Sequence, residues 1–324
     1  MEHRRALITI LSAALIGFFA ISGLLGIPSY PYEDGKLYVH VMDVGQGDAI
    51  LIHTPLGKNI LVDGGPHNNI REPLSDILGF GLYVIDEVFL SHPHADHMSG
   101  FLTVMQKYRV EKIWYTGIVH TTPVFQEWLQ EISIQEIPIE QLTGVDVREI
   151  DGVTLEILYP DKDIQDKSDW VDGHNGLNDT SIVMRVTFGE VSFLLVGDAE
   201  EALENYLLEQ YTVILEPQAI ESSSEDESLD TIAPSSLQDD ALKLKADVLK
   251  IGHHGSKSST SKEFLEAVNP SVAVISSGQN NYGHPHPSVI KRLRKSNIDI
   301  FRTDTHGTIT FVTDGYDIHT ITEY

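Results

Sequence analysis

The chain alternates short apolar runs with amphipathic stretches from Lys36 onward. KLYVHVMDV (36–44), DAILIHT (48–54) and NILVDGG (59–65) predict three successive strands joined by tight glycine turns. A helix is expected around 71–80, then a buried strand DEVFLSH (86–92), a helix MSGFLTVMQKY (98–108), a strand VEKIWYTG (110–117) and a helix over 122–133. VTLEILYP (153–160), TSIVMRVTFG (180–189) and VSFLLVGD (191–198) read as strands, the last two as a hairpin about Gly189 and Glu190. AEEALENYLLEQY (199–211) reads as a helix whose acidic first turn suits the helix dipole. DVLKIGHHGS (247–256), a helix from Ser261, SVAVISSG (271–278), a helix over 287–296 and two closing strands complete the pattern. Two strand-rich halves with helices between the strands predict a mixed α/β (α+β) fold: two sheets face to face, helices outside.

The N-terminus follows a different pattern. Arg4 and Arg5 precede an uncharged, mostly apolar run from Ala6 to Ile27. At 1.5 Å per residue it spans roughly 33 Å, close to the thickness of a bilayer core. Basic residues ahead of it predict a cytoplasmic N-terminus and an exported body. The expectation is a single-pass membrane anchor over residues 6–27, with the domain 28–324 outside the cytoplasm. The alternative is a cleaved signal segment and a secreted domain.

Composition narrows the chemistry. The 324 residues include no cysteine, so a metal site here must use His, Asp, Glu or Asn. The formal charge of −26 argues against a broad nucleic-acid-binding surface. Part of that charge is local: residues 216–240 hold eight carboxylates and no Lys or Arg, which reads as a solvated, disordered insertion.

LSHPHADHMSG (90–100) places His92, His94, Asp96 and His97 within six positions after an apolar strand. His92 and His94, two apart on extended backbone, point the same way. Asp96 and His97 follow where the chain turns into a helix. Two pairs of donors aimed at neighbouring points suit two metal ions, which together activate a water and stabilise attacking and leaving oxygens. Asp198, at the end of FLLVGD, suits a bridging carboxylate or the N-cap of the next helix. In KIGHHGS, one of His253 and His254 is expected to face the site and the other to donate to a substrate oxygen. Asp63 suits holding the histidine loop in place. Asp43 and Asp48 read as turn-forming or supporting groups. Ser256, Lys257 and Ser258 read as polar groups for a phosphate oxygen or as solvated loop.

In this order VDGG, HPHADH, LLVGD and HHGS resemble the metallo-β-lactamase superfamily. MDVGQGDAILI, LSHPHADHMSG, NDTSIV, FLLVGDAE, VLKIGHHGSKSSTS, SSGQNNYGHPHP and FRTDTHGTI resemble, more specifically, the hydrolase domain of ComEC-type DNA-uptake proteins, from about Leu37 to Ile309. The resemblance implies an αββα sandwich with two divalent ions, Zn or Mn, or a single ion, at one edge. It implies His92 and His94 at the first ion, Asp96 and His97 at the second and Asp198 between them. His254 would complete the second, with His253 as the close alternative. His284, in NNYGHPHP, is implied as a candidate to contact the scissile group; it also suits a plain turn residue between Gly283 and Pro285. Asp96, His253 and His284 are thus the candidates for the reacting chemistry. The third motif departs from the wider superfamily: HNGLNDTSIV carries Asn178 or Asp179 where many members carry a histidine. Asn178 is the candidate replacement ligand, with His174 as an alternative. Oxygen ligands shift preference from Zn toward Mn or Mg.

The expected activity is metal-dependent hydrolysis of a phosphodiester, on DNA or a related substrate. Lys257, Lys262, Lys291, Arg292, Arg294 and Lys295 form a local basic group for one strand. The alternatives are hydrolysis of a carbonyl substrate (lactam, lactone or thioester) and a non-catalytic binding module. Nothing points to a particular protein partner.

Overall fold

The computed structural model describes residues 32–79, 83–164, 176–212 and 243–324. The apolar run 6–27, the acidic stretch 216–240 and His174 lie outside the described residues. Among those described, no helix is long and apolar enough to cross a membrane.

The first half of the chain lays down β1 (Leu37–Val41), β2 (Ile50–His53), β3 (Asn59–Val62), β4 (Val84–Ile85), β5 (Glu87–Leu90), β6 (Arg109–Val110), β7 (Ile113–Tyr115) and β8 (Ile139–Gln141). The second half adds β9 (Asp146–Ile150), β10 (Val153–Tyr159), β11 (Val183–Phe188), β12 (Val191–Leu195), β13 (Val248–Lys250), β14 (Val272–Ile275) and β15 (Asp299–Arg302), then β16 (Ile309–Thr313) and β17 (Ile318–Thr322). Eight strands form one sheet, ordered β17-β16-β1-β2-β3-β5-β7-β8. Seven form the other, β15-β14-β13-β12-β11-β10-β9, while β4 and β6 pair separately. The helices are α1 (Arg71–Leu78), α2 (Ala95–Met98), α3 (Phe101–Lys107), α4 (Pro123–Ile134), α5 (Glu201–Tyr211), α6 (Lys262–Val268), α7 (Pro287–Lys295) and α8 (Thr303–His306).

Strand periodicity divides the core. Ile50 and Ile52 of β2, Ile60 and Val62 of β3, and Phe89 of β5 meet Val153, Leu155, Phe193 and Val248 between the sheets. The alternate residues, Leu51, Leu61, Val88 and Leu90, face outward against Leu74, Phe101, Val104, Phe125 and Trp128 of α1, α3 and α4. On the second sheet Leu194, Leu249, Ala273 and Ile275 pack under Leu203, Phe264, Val289 and Leu293 of α5, α6 and α7. A period of two buries both faces of each sheet, so the layers are αββα.

The structure corrects several boundaries. Residues 98–108 are not one helix. Asp96 O accepts from Asp48 N and His97 O from Gly64 N, which breaks the helical ladder, and α3 begins only after Gly100. That crossing is close: a Cβ on Gly100 would lie 1.8 Å from Gly64 O. The strand over 191–198 stops at Leu195, because Gly197 turns the chain with φ 53°. The run 247–256 keeps only β13 as strand and then closes into a 3₁₀ turn over Gly252–Gly255. Three strands rather than two end the chain. β9 and β17 alternate half-buried and exposed positions on the sheet edges, so neither carries a strong apolar signal.

Candidate metal centre

Parallel pairing brings the donors to one rim. β3 and β5 run parallel, as do β12, β13 and β14, so their C-terminal ends point the same way. Asp63 follows β3, His92 follows β5, Asp198 follows β12, His253 and His254 follow β13, and Ser276 follows β14. The rim lies where the sheets meet: His97 Nε2 is 3.2 Å from Asp198 Oδ2, and His92 Nε2 is 3.8 Å from it.

The donors fall into two sets, each with atoms within 4.8 Å of one another: His92, His94 and Asp198, and Asp96, His97 and His254. Asp198 also joins a set with His254 and Asp48, so one carboxylate touches both groups. His254 Nε2 is 3.5 Å from Asp96 Oδ2 and 3.6 Å from Asp198 Oδ1. Asp198 does not cap α5; the cap position belongs to Glu200, with no side-chain bond.

Supporting groups aim these rings. Asp63, at φ 59°, accepts from Ser91 N at 2.8 Å, from Ser91 Oγ at 2.6 Å and from His97 Nδ1 at 2.7 Å. His97 Nε2 is thereby left facing Asp198. His254 Nδ1 donates to Ser276 O at 3.0 Å, which turns its Nε2 inward. Ser181 Oγ accepts from Asp198 N at 3.0 Å and stands 3.3 Å from His92 Nδ1. Asp43 makes the expected turn contact, accepting from Gly45 N.

The electrostatics are those of a site built around positive charge. Burial opposes a charge on His97, but Asp198 and Asp63 outweigh it and hold its pKa well above the imidazole range. Burial also opposes a charge on His254, and Asp198, Asp48 and Asp96 raise its pKa to about 9. Burial, with His97 next in weight, pushes His92 well below the normal value. Burial would raise the pKa of Asp198, yet His254, His97 and His92 hold it far down. His97 Nε2, His254 Nε2 and Asp198 Oδ1 are buried without a hydrogen bond. An unsatisfied buried group costs about 1–3 kcal/mol. Buried carboxylate and imidazole atoms that converge without partners, in a field that favours positive charge, fit a divalent cation taking the place of the imidazole protons.

Three supporting residues carry no motif of their own. Lys250 is buried, pairs with Asp48 and donates to Gly197 O at 3.0 Å, so a fixed cation lies beneath the donors. Glu200 contacts His253 Nδ1 and accepts from Ser258 Oγ at 3.0 Å. Both look ordinary in sequence: a lysine in a strand, an acid near a helix start. Ser181, in NDTSIV, is likewise an ordinary polar residue ahead of a strand. The remaining candidates adjoin these donors. His253 Nε2 is 3.9 Å from Asp198 Oδ2, and the His253 and His284 rings are 5.2 Å apart. Asn178 Nδ2 is 3.2 Å from His253 Nδ1, while its buried Oδ1 makes no hydrogen bond. Asp179 does not face the donors; its Oδ1 accepts from the backbone of Glu200 and Leu203 at the start of α5.

A layered αββα fold with this rim defines a class. The model of the metallo-beta-lactamase superfamily matches residues 42–279, and the chain belongs to that superfamily. It has the fold of that superfamily's metal-dependent hydrolases, a fold that implies divalent metal binding. The chain is 27% identical over 301 residues to ComE operon protein 3 of Bacillus subtilis, covering 87% of this chain and 34% of the relative. It is 30% identical over 300 residues to competence protein ComA of Neisseria gonorrhoeae, covering 90% of this chain and 35% of the relative. It therefore spans about a third of the length of these relatives. Among solved structures it is similar to the metallo-beta-lactamase fold protein YhfI from Bacillus subtilis, at 13% identity and TM-score 0.45, covering 84% of this chain and 98% of that one.

Proposed function

We propose that the chain is a divalent-metal-dependent phosphodiesterase acting on nucleic acid. The observation that carries this reading is the position of Asp198 between the two donor sets. His92 and His94 would hold a first ion, Asp96, His97 and His254 a second, and Asp198 both. Asn178, through its unpartnered Oδ1, would be the further oxygen donor to the first. When bound, such a pair of ions lowers the pKa of a water and neutralises charge on a phosphoryl group. His253, held by Glu200, and His284, its ring 5.2 Å from that of His253, would donate to the phosphoryl oxygens or the departing oxygen. With no thiolate and an amide at the third motif, the donor set shifts preference from Zn toward Mn or Mg.

Support for a nucleic-acid substrate comes from the likeness to two competence proteins and from the basic residues beyond His284. Both favour a phosphodiester over a lactam, lactone or thioester. Residues 6–27 would anchor the chain, with the hydrolase outside the cytoplasm. The test is metal content and turnover of the purified chain on single-stranded DNA, a chromogenic phosphodiester and a chromogenic β-lactam, beside His94→Ala and Asp198→Ala. Bound metal and diester turnover, each lost in both variants, are the expected result. Undiminished diester cleavage in the variants, or turnover of the lactam alone, would overturn the reading.

A further inference from the structure

α7 begins at the site and leads away from it. His286 N donates to Gly255 O at 2.8 Å, so the start of the helix is fixed to the HHG turn. Lys291, Arg294 and Lys295 are exposed, make no ion pair among the described residues and share one helix face by their i, i+3, i+4 spacing. With Pro285, Pro287 and Ile290 they line a shallow depression of about 510 Å3. The basic character is local. Residues 250–302 hold eight Lys or Arg against three Asp or Glu, in a chain of net charge −26. Arg292 is not part of this face, since it turns inward to the carbonyl oxygens of Ser259 and Thr260. Tyr282, 75% exposed, has its ring 5.9 Å from that of His284, the residue before Pro285 of the depression.

We propose that this face of α7 is a phosphate-binding track for a single nucleic-acid strand, with Tyr282 as the stacking platform at its inner end. The proposal rests on the phosphodiesterase reading and adds where the strand lies outside the reacting centre. A helix of nine residues is about 13 Å long, room for the phosphates of a few nucleotides. A duplex is a stiff rod that needs a broad basic surface, which the acidic remainder of the molecule denies it. A flexible strand needs only a narrow row of cations and an aromatic face, since base stacking is sequence-tolerant. A flat anionic membrane fits less well. Asp299 lies beside Arg294, and Asp304 pairs with Arg302 next to the track, so a plane of headgroups would meet carboxylates too.

The test measures binding of a fluorescein-labelled, single-stranded phosphorothioate oligothymidylate to the metal-loaded full chain across a salt titration. The combined variant Lys291→Ala, Arg294→Ala, Lys295→Ala is expected to bind at least about tenfold more weakly, with the slope of log K against log salt reduced by about 2. Tyr282→Ala is expected to weaken binding severalfold with the slope unchanged. A variant with the same charge change elsewhere, Lys58→Ala, Arg109→Ala, Lys112→Ala, is expected to bind as the wild type does. Equal losses in the two triple variants would mean a general field effect, and binding within twofold of wild type for the α7 variant would mean no track; either overturns the proposal. So would a loss confined to phosphatidylglycerol vesicles, which would assign the face to a membrane. Turnover of the chromogenic diester by the wild type is read separately, so failure of the phosphodiesterase reading shows there and failure of the track shows in binding.

Discussion

Asp63 and His97 sit 2.7 Å apart, carboxylate oxygen to Nδ1, at a rim where neither reaches solvent. The bond decides which nitrogen of His97 faces Asp198. Asp63→Asn keeps the shape but removes the charge that favours an Nδ1 proton. Metal affinity measured by competitive chelator titration should fall about 10- to 100-fold, the usual effect of losing such a partner. Unchanged affinity would separate Asp63 from the site.

Gly64 and Gly100 cross with no space for a side chain. Gly100→Ala would place a Cβ 1.8 Å from Gly64 O. Overpacking of this kind costs about 1–3 kcal/mol. The expected outcome is a lower Tm together with weaker metal binding, since the displaced backbone carries His97. Gly144→Ala, whose nearest neighbour would be 3.7 Å away, should leave Tm almost unchanged.

Lys250 and Asp48 form a buried ion pair. Removing one partner of such a pair costs about 3–5 kcal/mol, because the other charge is left uncompensated. Lys250→Met should therefore lower denaturant stability by that order, and adding Asp48→Asn should recover part of it. Additive losses in the double variant would show that the two side chains do not act together.

His40 is fully buried in β1, with Nδ1 2.8 Å from Thr310 Oγ1. Burial, reinforced by His53, lowers its pKa to about 3, from 6.5 unfolded. The unfolded chain therefore binds a proton that the folded chain refuses. His40 contributes stability fully above pH 6.5 and loses it as pH falls toward 3, by about 2 kcal/mol at pH 5. Denaturant melts at pH 7.5 and pH 5 should show a smaller drop for His40→Gln than for wild type. Equal drops would mean that His40 does not carry this dependence.

The groups whose chemistry is distinctive were readable in the sequence. His92, His94, Asp96, His97, Asp198 and His254 are metal-capable side chains at strand ends, and the fold brings all six together. Groups that only hold or neutralise those donors were less readable. Lys250 resembles any lysine at the end of an apolar strand, and Glu200 any acid ahead of a helix. Nothing local marks their contacts with Asp48 and His253, which lie far away along the chain. The central strands were legible because both their faces are apolar. β8, β9 and β17 lie at or near the sheet edges, and sequences such as IEQ and DVREI carry too few apolar residues to announce a strand. The break between α2 and α3 was hidden for a related reason: its cause is a neighbouring loop capturing two carbonyls.

Asp198 and His254 arrive from one sheet, the HPHADH loop from the other, and neither sheet by itself owns a full set of donors. Cation capture must therefore wait until the sandwich has closed, late on the folding path. An added ion should leave the refolding rate nearly untouched and slow unfolding instead, acting as a latch on a finished object rather than as a seed for making it.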